Sequence, residues 1–417
     1  MFKFRKYQQE IIEKAIKVCA KYNFVYLAME VRTGKTLTAF GIAEKLNFAS
    51  VLFVTKKKAI SSIQNDYDRL KPNFDLEIIN YESLHKVKSV MFDYIILDEA
   101  HTLGAFPKPS KRAKQVKELI SKHKSCVCLM SGTPTPESYS QLYHQVYGIP
   151  NNPFKHPSFY KFAREHVNVT QRKINSNWIN DWSKGKLSII DAMKPMTISF
   201  TQKEAGFKNQ INEMILNVEM SQLTYNMAKK LQKDRVIEGE AEVVLGDTPA
   251  KLMQKLHQIY SGTVKFESGK PMVFDISKAQ YIKKHFKNRK IAIFYKFRAE
   301  YDALKSVFED TLCNTLDEFC NTDKNIALQI VSGREGISLK EADALVYYNI
   351  DFSATSYWQS RDRMTTKYRK NSKVYWVFAN DGIEKDIYKT VIKKKDYTVR
   401  HFKRAHIHIS SFRPLPF

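Results

Sequence analysis

The chain has 417 residues, too many for one ordinary core and suited to two or three domains at roughly 150 residues each. Its 68 Lys and Arg stand against 43 Asp and Glu, a net charge of +25 that far exceeds the charge of about 2 to 8 needed for solubility and points to a polyanionic partner such as nucleic acid. The five cysteines (Cys19, Cys126, Cys128, Cys313, Cys320) lack any CxxC pair and support neither a disulfide framework nor a zinc site; no run reaches the ~18 apolar residues of a membrane span, so a reduced, cytoplasmic, unexported protein is expected.

In the first 150 residues, short β-rich runs alternate with helical patterns: FVYLA (24–28), VLFVT (51–55), EIIN (77–80), DYIILD (93–98) and CVCLM (126–130). Strands apolar on both faces and separated by amphipathic stretches predict a parallel sheet covered on both sides. GIPNNPFKHP, with three prolines in ten residues, reads as a connection leaving this lobe. Residues 151–275 are rich in aromatic, Asn and Lys residues and read as a mostly helical linker and insertion, with a strand at MILNVEM (214–220). The strand–helix rhythm returns in IAIFY (291–295), IALQIV (326–331), ALVYYNI (344–350) and VYWVFA (374–379). The expected organisation is therefore α/β: lobe 1 over 1–150, the insertion over 151–275, lobe 2 over 276–395 and a basic tail over 396–417, read as packing on the core. No internal repeat or further reader domain is legible.

AMEVRTGKTLTAF (28–40) carries the chemistry. It ends as a phosphate-binding loop does, with Gly34, Lys35 and Thr36, but Met29 stands where the pattern GxxxxGK[ST] has its first glycine. A strand followed by a turn and a helix start is the context such a loop requires. Free N–H groups and the positive dipole end then face phosphates, Lys35 reaches the β and γ oxygens and Thr36 binds Mg²⁺. About 60 residues on, an apolar strand delivers Asp98 and Glu99 at its carboxyl end in DEAH, where a sheet of this class binds its ligand. Asp98 is read as a Mg²⁺ ligand and Glu99 as the residue that orients or deprotonates the attacking water. A chance GKT at a capped helix is the competing reading, and the acidic pair argues against it.

The order of these pieces resembles the superfamily 2 helicases and translocases, and within them the Swi/Snf-type DNA translocases. FRKYQ (4–8) is similar to the adenine-reading segment, with Gln8 as the base contact, and LFVTKK (52–57) to the segment touching the DNA backbone through Thr55 and Lys56. DEAH (98–101) and SGTP (131–134) follow in family order, making His101, Ser131 and Thr133 candidates for coupling; His101 could equally satisfy a local hydrogen bond. IAIFYKF (291–297) resembles motif IV, with Lys296 on DNA phosphates, and SGREGISLKEAD (332–343) motif V, with Ser332 and Gly333 near DNA and Gly336 coupling. YWQSRDRMTTKYR (357–369) is similar to motif VI, QxxDRxxR, through Gln359, Asp362 and Arg363. Gln359 and Arg363, four apart on a helix, share a face, and the resemblance makes Arg363 the arginine finger. FYKFAREH (159–166), LTYNMAKKL (223–231) and LMQKLHQIYSG (252–262) resemble the linker and inserted helices of the Swi/Snf branch.

The resemblance implies two RecA-like lobes, ATP and Mg²⁺ as ligands, Thr33 in the nucleotide-binding set, and duplex, forked or branched DNA as partner. It implies an ATP-dependent translocase or helicase acting in replication, recombination or repair, the compact chain suggesting a phage or small bacterial source. Displacement of DNA-bound protein, nucleotide-gated DNA binding without motor action, and an RNA helicase are the alternatives. Two departures stand out: Arg32 replaces a glycine usual in the family, and Thr366 occupies the second arginine position of motif VI, leaving Lys367 or Arg361 as substitutes.

Overall fold

The structure, a computed structural model, describes residues 2–87, 91–174, 177–208, 210–239, 242–333, 337–366, 369 and 371–393. It forms two compact units, Met1–Phe207 and Lys208–Phe417. Among the described residues no helix is long and apolar enough to cross a membrane.

The first unit is built on a six-stranded, wholly parallel sheet. Its strands are β1 (Phe24–Met29), β2 (Ser50–Thr55), β3 (Asp75–Asn80), β4 (Tyr94–Leu97), β5 (Cys126–Met130) and β6 (Thr197–Phe200), in spatial order β3-β2-β4-β5-β1-β6. The period-two alternation of a strand divides each run between two cores. Val25, Leu27, Val51, Phe53 and Ile96 join one, and Phe24, Tyr26, Leu52, Val54 and Leu97 the other. Helices α1 (Lys6–Tyr22), α2 (Lys35–Lys45) and α3 (Ile60–Leu70) supply Ile11, Phe40 and Ile63 to the first core, and α4 (Lys111–Lys122) and α5 (Phe159–His166) supply Val116 and Phe162 to the second.

The second unit repeats the plan with β7 (Gln210–Val218), β8 (Ile291–Tyr295), β9 (Leu312–Cys313), β10 (Asn325–Gln329), β11 (Ala344–Tyr347) and β12 (Asn371–Ala379), ordered β9-β10-β8-β11-β12-β7 and all parallel. The two parallel-sheet lobes expected from the doubly apolar runs are present. The stretch 151–275 divides between the units. Its β6 becomes an edge of the first sheet and its β7 pairs with β12 from Gln210↔Asn371 to Val218↔Ala379. It is also less helical than expected, carrying four α-helices and eight strands among its described residues, because several short runs close as local antiparallel pairs such as Thr170–Ile174 with Asn177–Asp181. The tail read as packing on the core lies outside the described residues from 394 onward.

Candidate functional site

The central order β2-β4-β5-β1 decides what meets at the carboxyl edge of the first sheet. The loop after β1 opens α2, the turn after β4 carries Asp98 and Glu99, and the turn after β5 carries Ser131 to Pro134, so three motifs distant in sequence leave neighbouring strands on one side. Ser131 N donates to Leu27 O at 3.2 Å, and a Cβ on Gly132 would stand 3.5 Å from Val31 N, which sets the SGTP turn against the phosphate loop.

Met29 is the last residue of β1, fully buried and paired with Phe200 of β6. The position that would hold a glycine in the usual loop is thus a core residue, and the turn proper is confined to residues 30–34. Two residues there are left-handed, Arg32 at φ 63° and Gly34 at φ 83°. Gly34 caps α2, and a Cβ there would lie 2.6 Å from Gln8 Nε2. A substitution at Arg32 by glycine is sterically free to adopt the same turn; a side chain at Gly34 meets both strain and collision.

The start of α1 is bound to this loop. Gln8, buried at 3% exposure, donates from Nε2 to Gly34 O at 3.2 Å and accepts Arg5 N at 3.0 Å, while Tyr7 OH donates to Thr33 O at 3.0 Å and its ring stacks on Phe200. Gln8, expected at the adenine, is engaged here with the loop backbone. Thr33 is fully buried and donates from Oγ1 to Glu30 O at 2.7 Å. Lys35 Nζ donates to Met29 O at 3.0 Å and Glu30 O at 3.3 Å; Thr36 is half-buried in the first turn of α2.

Asp98 and Glu99 differ in electrostatic setting although adjacent. Removal from water and the Glu99 carboxylate push Asp98 up to about 6, opposed by Lys35 and by a hydrogen bond from Thr55 Oγ1 to Asp98 Oδ2 at 2.8 Å. Burial acts against ionisation of Glu99 too, but the hydrogen bond and charge of His101, with Lys35 and Lys56, outweigh it and hold Glu99 below the ordinary carboxylate range. Glu99 adopts φ 48°, a left-handed conformation that turns the chain sharply after the strand. His101 Nδ1 stands 3.2 Å from Glu99 Oε2 and 3.0 Å from Ser131 Oγ, which accepts Thr133 N at 3.1 Å. Three of the four residues read as coupling, His101, Ser131 and Thr133, therefore form a continuous polar chain from the acidic turn to SGTP.

Two residues expected on DNA behave differently. Thr55 is fully buried and serves Asp98, because Val54 pairs with Leu97 and the next residue of each strand faces its neighbour. Lys56, beside it, is half-buried and close enough for its charge to lower Glu99. Tyr81, which the sequence reading missed, donates from OH to the Asp98 carbonyl at 2.6 Å; an isolated tyrosine after a strand gave no signal for this.

In the second unit, Lys296 is not available as a free phosphate contact. It pairs with Asp351 Oδ1 at 3.0 Å with its ammonium 3.6 Å from the Phe352 ring centroid, and burial lowers its pKa. Gly333 ends the short helix Ile330–Gly333, and a Cβ there would meet Phe294 Cε1 at 2.5 Å, so the glycine answers a packing need of motif V; Ser332 lies in the same turn of helix. Gly336 and Lys367 lie outside the described residues. The continuous helix expected to carry both Gln359 and Arg363 ends at Arg361: α6 (Ala354–Arg361) passes into a 3₁₀ turn, Asp362–Met364. Arg363 is 8% exposed and donates from Nε to the Gln359 carbonyl at 2.9 Å, while the buried Gln359 Oε1 has no hydrogen-bond partner. Arg361, the substitute considered for a second arginine, is held by Glu213 Oε1 at 2.7 Å and packs over Trp358. Thr366 Oγ1 accepts Arg369 N at 3.1 Å.

The donor set of the first unit fits a hard divalent ion. It offers the oxygens of Asp98 and Thr36, with the buried Thr133 Oγ1 unpartnered and Glu99 Oε2 standing 3.2 Å from His101 Nδ1. The sequence model of the SNF2-related domain matches residues 35–268, more than half of the 417. The chain belongs to the SNF2-related family. This SNF2-related chain is 22% identical over 382 residues to the ISWI chromatin-remodeling complex ATPase ISW1 of Saccharomyces cerevisiae, a match covering 77% of this chain and 31% of the yeast protein. It thus spans about a third of that relative's length. Among solved structures, the Sulfolobus solfataricus SWI2/SNF2 ATPase core in complex with dsDNA aligns at 17% identity over 94% of this chain and 91% of that one, with a TM-score of 0.42. The Sulfolobus solfataricus SWI2/SNF2 ATPase core domain aligns at 16% over 94% and 89%, with a TM-score of 0.41.

Proposed function

We propose that this SNF2-related chain is an ATP-hydrolysing DNA translocase whose turnover is stimulated by DNA, and that it remodels forked or branched DNA in replication or recombination. The observation that carries the reading is the convergence of the Lys35 helix start, the Asp98–Glu99 turn and Ser131 at the carboxyl ends of β1, β4 and β5, with His101 touching both Glu99 and Ser131. The net charge of +25 and the family membership support a polyanionic track.

In this reading Gly34 and the first N–H groups of α2 cradle the nucleotide phosphates, Lys35 neutralises the outer ones and Gln8 holds the loop and reads the base. Asp98 and Thr36 would hold Mg²⁺, which would supply neutralisation of phosphate charge when bound. Glu99, ionised under the influence of His101, orients or deprotonates the attacking water. Arg363 is assigned the charge that develops on the transferred phosphoryl group. Thr33 and Gln359 are assigned to nucleotide binding, Lys56 and the motif V turn at Ser332 and Gly333 to DNA, and His101, Ser131, Thr133 and Gly336 to coupling.

The test is the ATPase rate against single-stranded, duplex, forked and four-way DNA. Lys35→Ala and Glu99→Gln are each expected to cut turnover by at least about 100-fold with the fold intact. Arg363→Ala is expected to lose turnover while keeping nucleotide binding. DNA affinity should fall with salt at a log–log slope of about 0.9 per phosphate neutralised. Turnover indifferent to every DNA rejects the motor reading. DNA-stimulated turnover without movement of any fork or junction moves the reading to displacement of DNA-bound protein.

A further inference from the structure

We propose that His156, Glu165 and His166 form a binding site for a divalent late transition-metal ion, with zinc as its natural probe, on the first unit and apart from the nucleotide loop. The three side chains bring one ligand atom each to within 4.8 Å of one another. His156 Nε2 lies 3.0 Å and His166 Nε2 4.0 Å from Glu165 Oε2. In a tetrahedral site with metal–ligand distances of about 2.0–2.2 Å, donors stand roughly 3.4 Å apart, so the two observed separations bracket the required one.

The local fold assembles this cluster. Phe162 and His166 are four apart on α5 and share a face, and the segment before the helix lies along it, with the Phe154 ring 5.0 Å from Phe162 and 5.9 Å from His166. His156 is thereby set 5.4 Å, centroid to centroid, from His166. Both imidazoles back onto Phe162, which is fully buried, so one side of the cluster is apolar and fixed.

Second contacts hold the donors in place. Ser188 Oγ lies 3.0 Å from His166 Nδ1, leaving Nε2 as the nitrogen turned to Glu165. The backbone of His156 is held by Tyr143 OH on its carbonyl at 2.8 Å, and Lys186 binds the end of α5 through its N on His166 O at 2.8 Å and its Nζ on Glu165 O at 2.6 Å. Such an outer shell is what orients ligating imidazoles in metal sites.

A plain ion pair is the simpler account, and it explains one imidazole only. A single carboxylate oxygen lies 3.0 Å from His156 Nε2, while His166 Nε2 at 4.0 Å is beyond hydrogen-bonding reach of that same oxygen. An ion shared by all three uses both. Two imidazoles and one carboxylate favour zinc-like ions over Mg²⁺, and three protein ligands leave a fourth position for water, reachable because the Glu165 side chain is 66% exposed.

The experiment uses the full chain, stripped of metal, titrated with Zn²⁺ against a chromophoric chelator and melted with and without Zn²⁺. A Cys320→Ser background removes the exposed thiol as a competing ligand. Expected is one equivalent of Zn²⁺ per chain, unaffected by millimolar Mg²⁺, with a zinc-dependent rise in Tm. His156→Gln and His166→Gln should each weaken binding about 100-fold or more, and Ser188→Ala about ten-fold. Glu165→Gln, at an exposed position that leaves folding alone, should weaken it too and abolish the Tm rise. Zinc binding equal in the parent and in the His156→Gln/His166→Gln pair, or no saturable binding in the parent, overturns the proposal. None of these readouts depends on ATP turnover, so the site stands or falls separately from the motor function.

Discussion

Thr55 Oγ1 donates to Asp98 Oδ2 over 2.8 Å, tying the last residue of β2 to the first residue beyond β4. The register Val54↔Leu97 makes these two positions neighbours, so a threonine with no exposed surface becomes the outer partner of the carboxylate proposed to hold Mg²⁺. Thr55→Val keeps the shape and removes the donor. It is expected to raise the Mg²⁺ concentration for half-maximal ATPase by about 10- to 100-fold. An unchanged Mg²⁺ dependence would show that the hydroxyl does not serve the ion.

The same carboxylate costs stability. Its pKa is raised in the fold from 3.8 to about 6, so the native state favours the protonated form. Above about pH 6 the folded chain carries the full penalty of the ionised group, and the penalty disappears as pH falls below about 4. Two pKa units correspond to roughly 3 kcal/mol. Asp98→Asn is therefore expected to unfold at higher denaturant than the parent at pH 8 and at the same denaturant near pH 4, while losing turnover. Equal stability at pH 8 counts against the burial of charge at this position.

Arg32 and Gly34 sit in the same loop with positive φ but respond differently to substitution. Gly34→Ala forces a side chain into the left-handed region and against Gln8 Nε2, and a loss of about 1–2 kcal/mol is expected. Arg32→Gly relieves a comparable strain but loosens the unfolded chain, so stability should move by less than about 1 kcal/mol. Thermal unfolding of the two variants side by side decides this; an Arg32→Gly loss as large as that of Gly34→Ala would mean the arginine side chain itself holds the loop.

In the second unit, Lys278 Nζ and Glu384 Oε1 pair at 2.6 Å with both side chains fully buried, and a Cβ on Gly382 would collide with Glu384 Oε2. Removing one partner strands a charge away from water. Lys278→Met or Glu384→Leu alone is expected to cost about 3–5 kcal/mol, and the double variant to recover most of it. Urea unfolding of all four chains measures the coupling; additive losses would reject it.

The two lobes and the turn that opens α2 were legible because their signals are local. Doubly apolar runs such as VLFVT and DYIILD mark buried parallel strands wherever they end up, and GKT after one strand with DEAH after another is a pattern of neighbours in sequence. The weaker runs were not legible in this way. TISF, at β6, is a four-residue strand with only partial burial, and its role as the sheet edge exists only through its pairing with β1.

Sequence alone thus determined the fold class, the strong positive charge and the candidate chemistry of Lys35, Asp98 and Glu99, since composition and short-range spacing carry those. Tertiary structure alone decided that Thr55 faces Asp98 instead of solvent, that Lys296 is spent on Asp351, that the helix of Gln359 stops before Arg363, and that His156 meets Glu165 and His166. Each of these depends on which distant segment packs alongside, and side-chain partners across strands or along a folded-back loop leave no period in the chain to read.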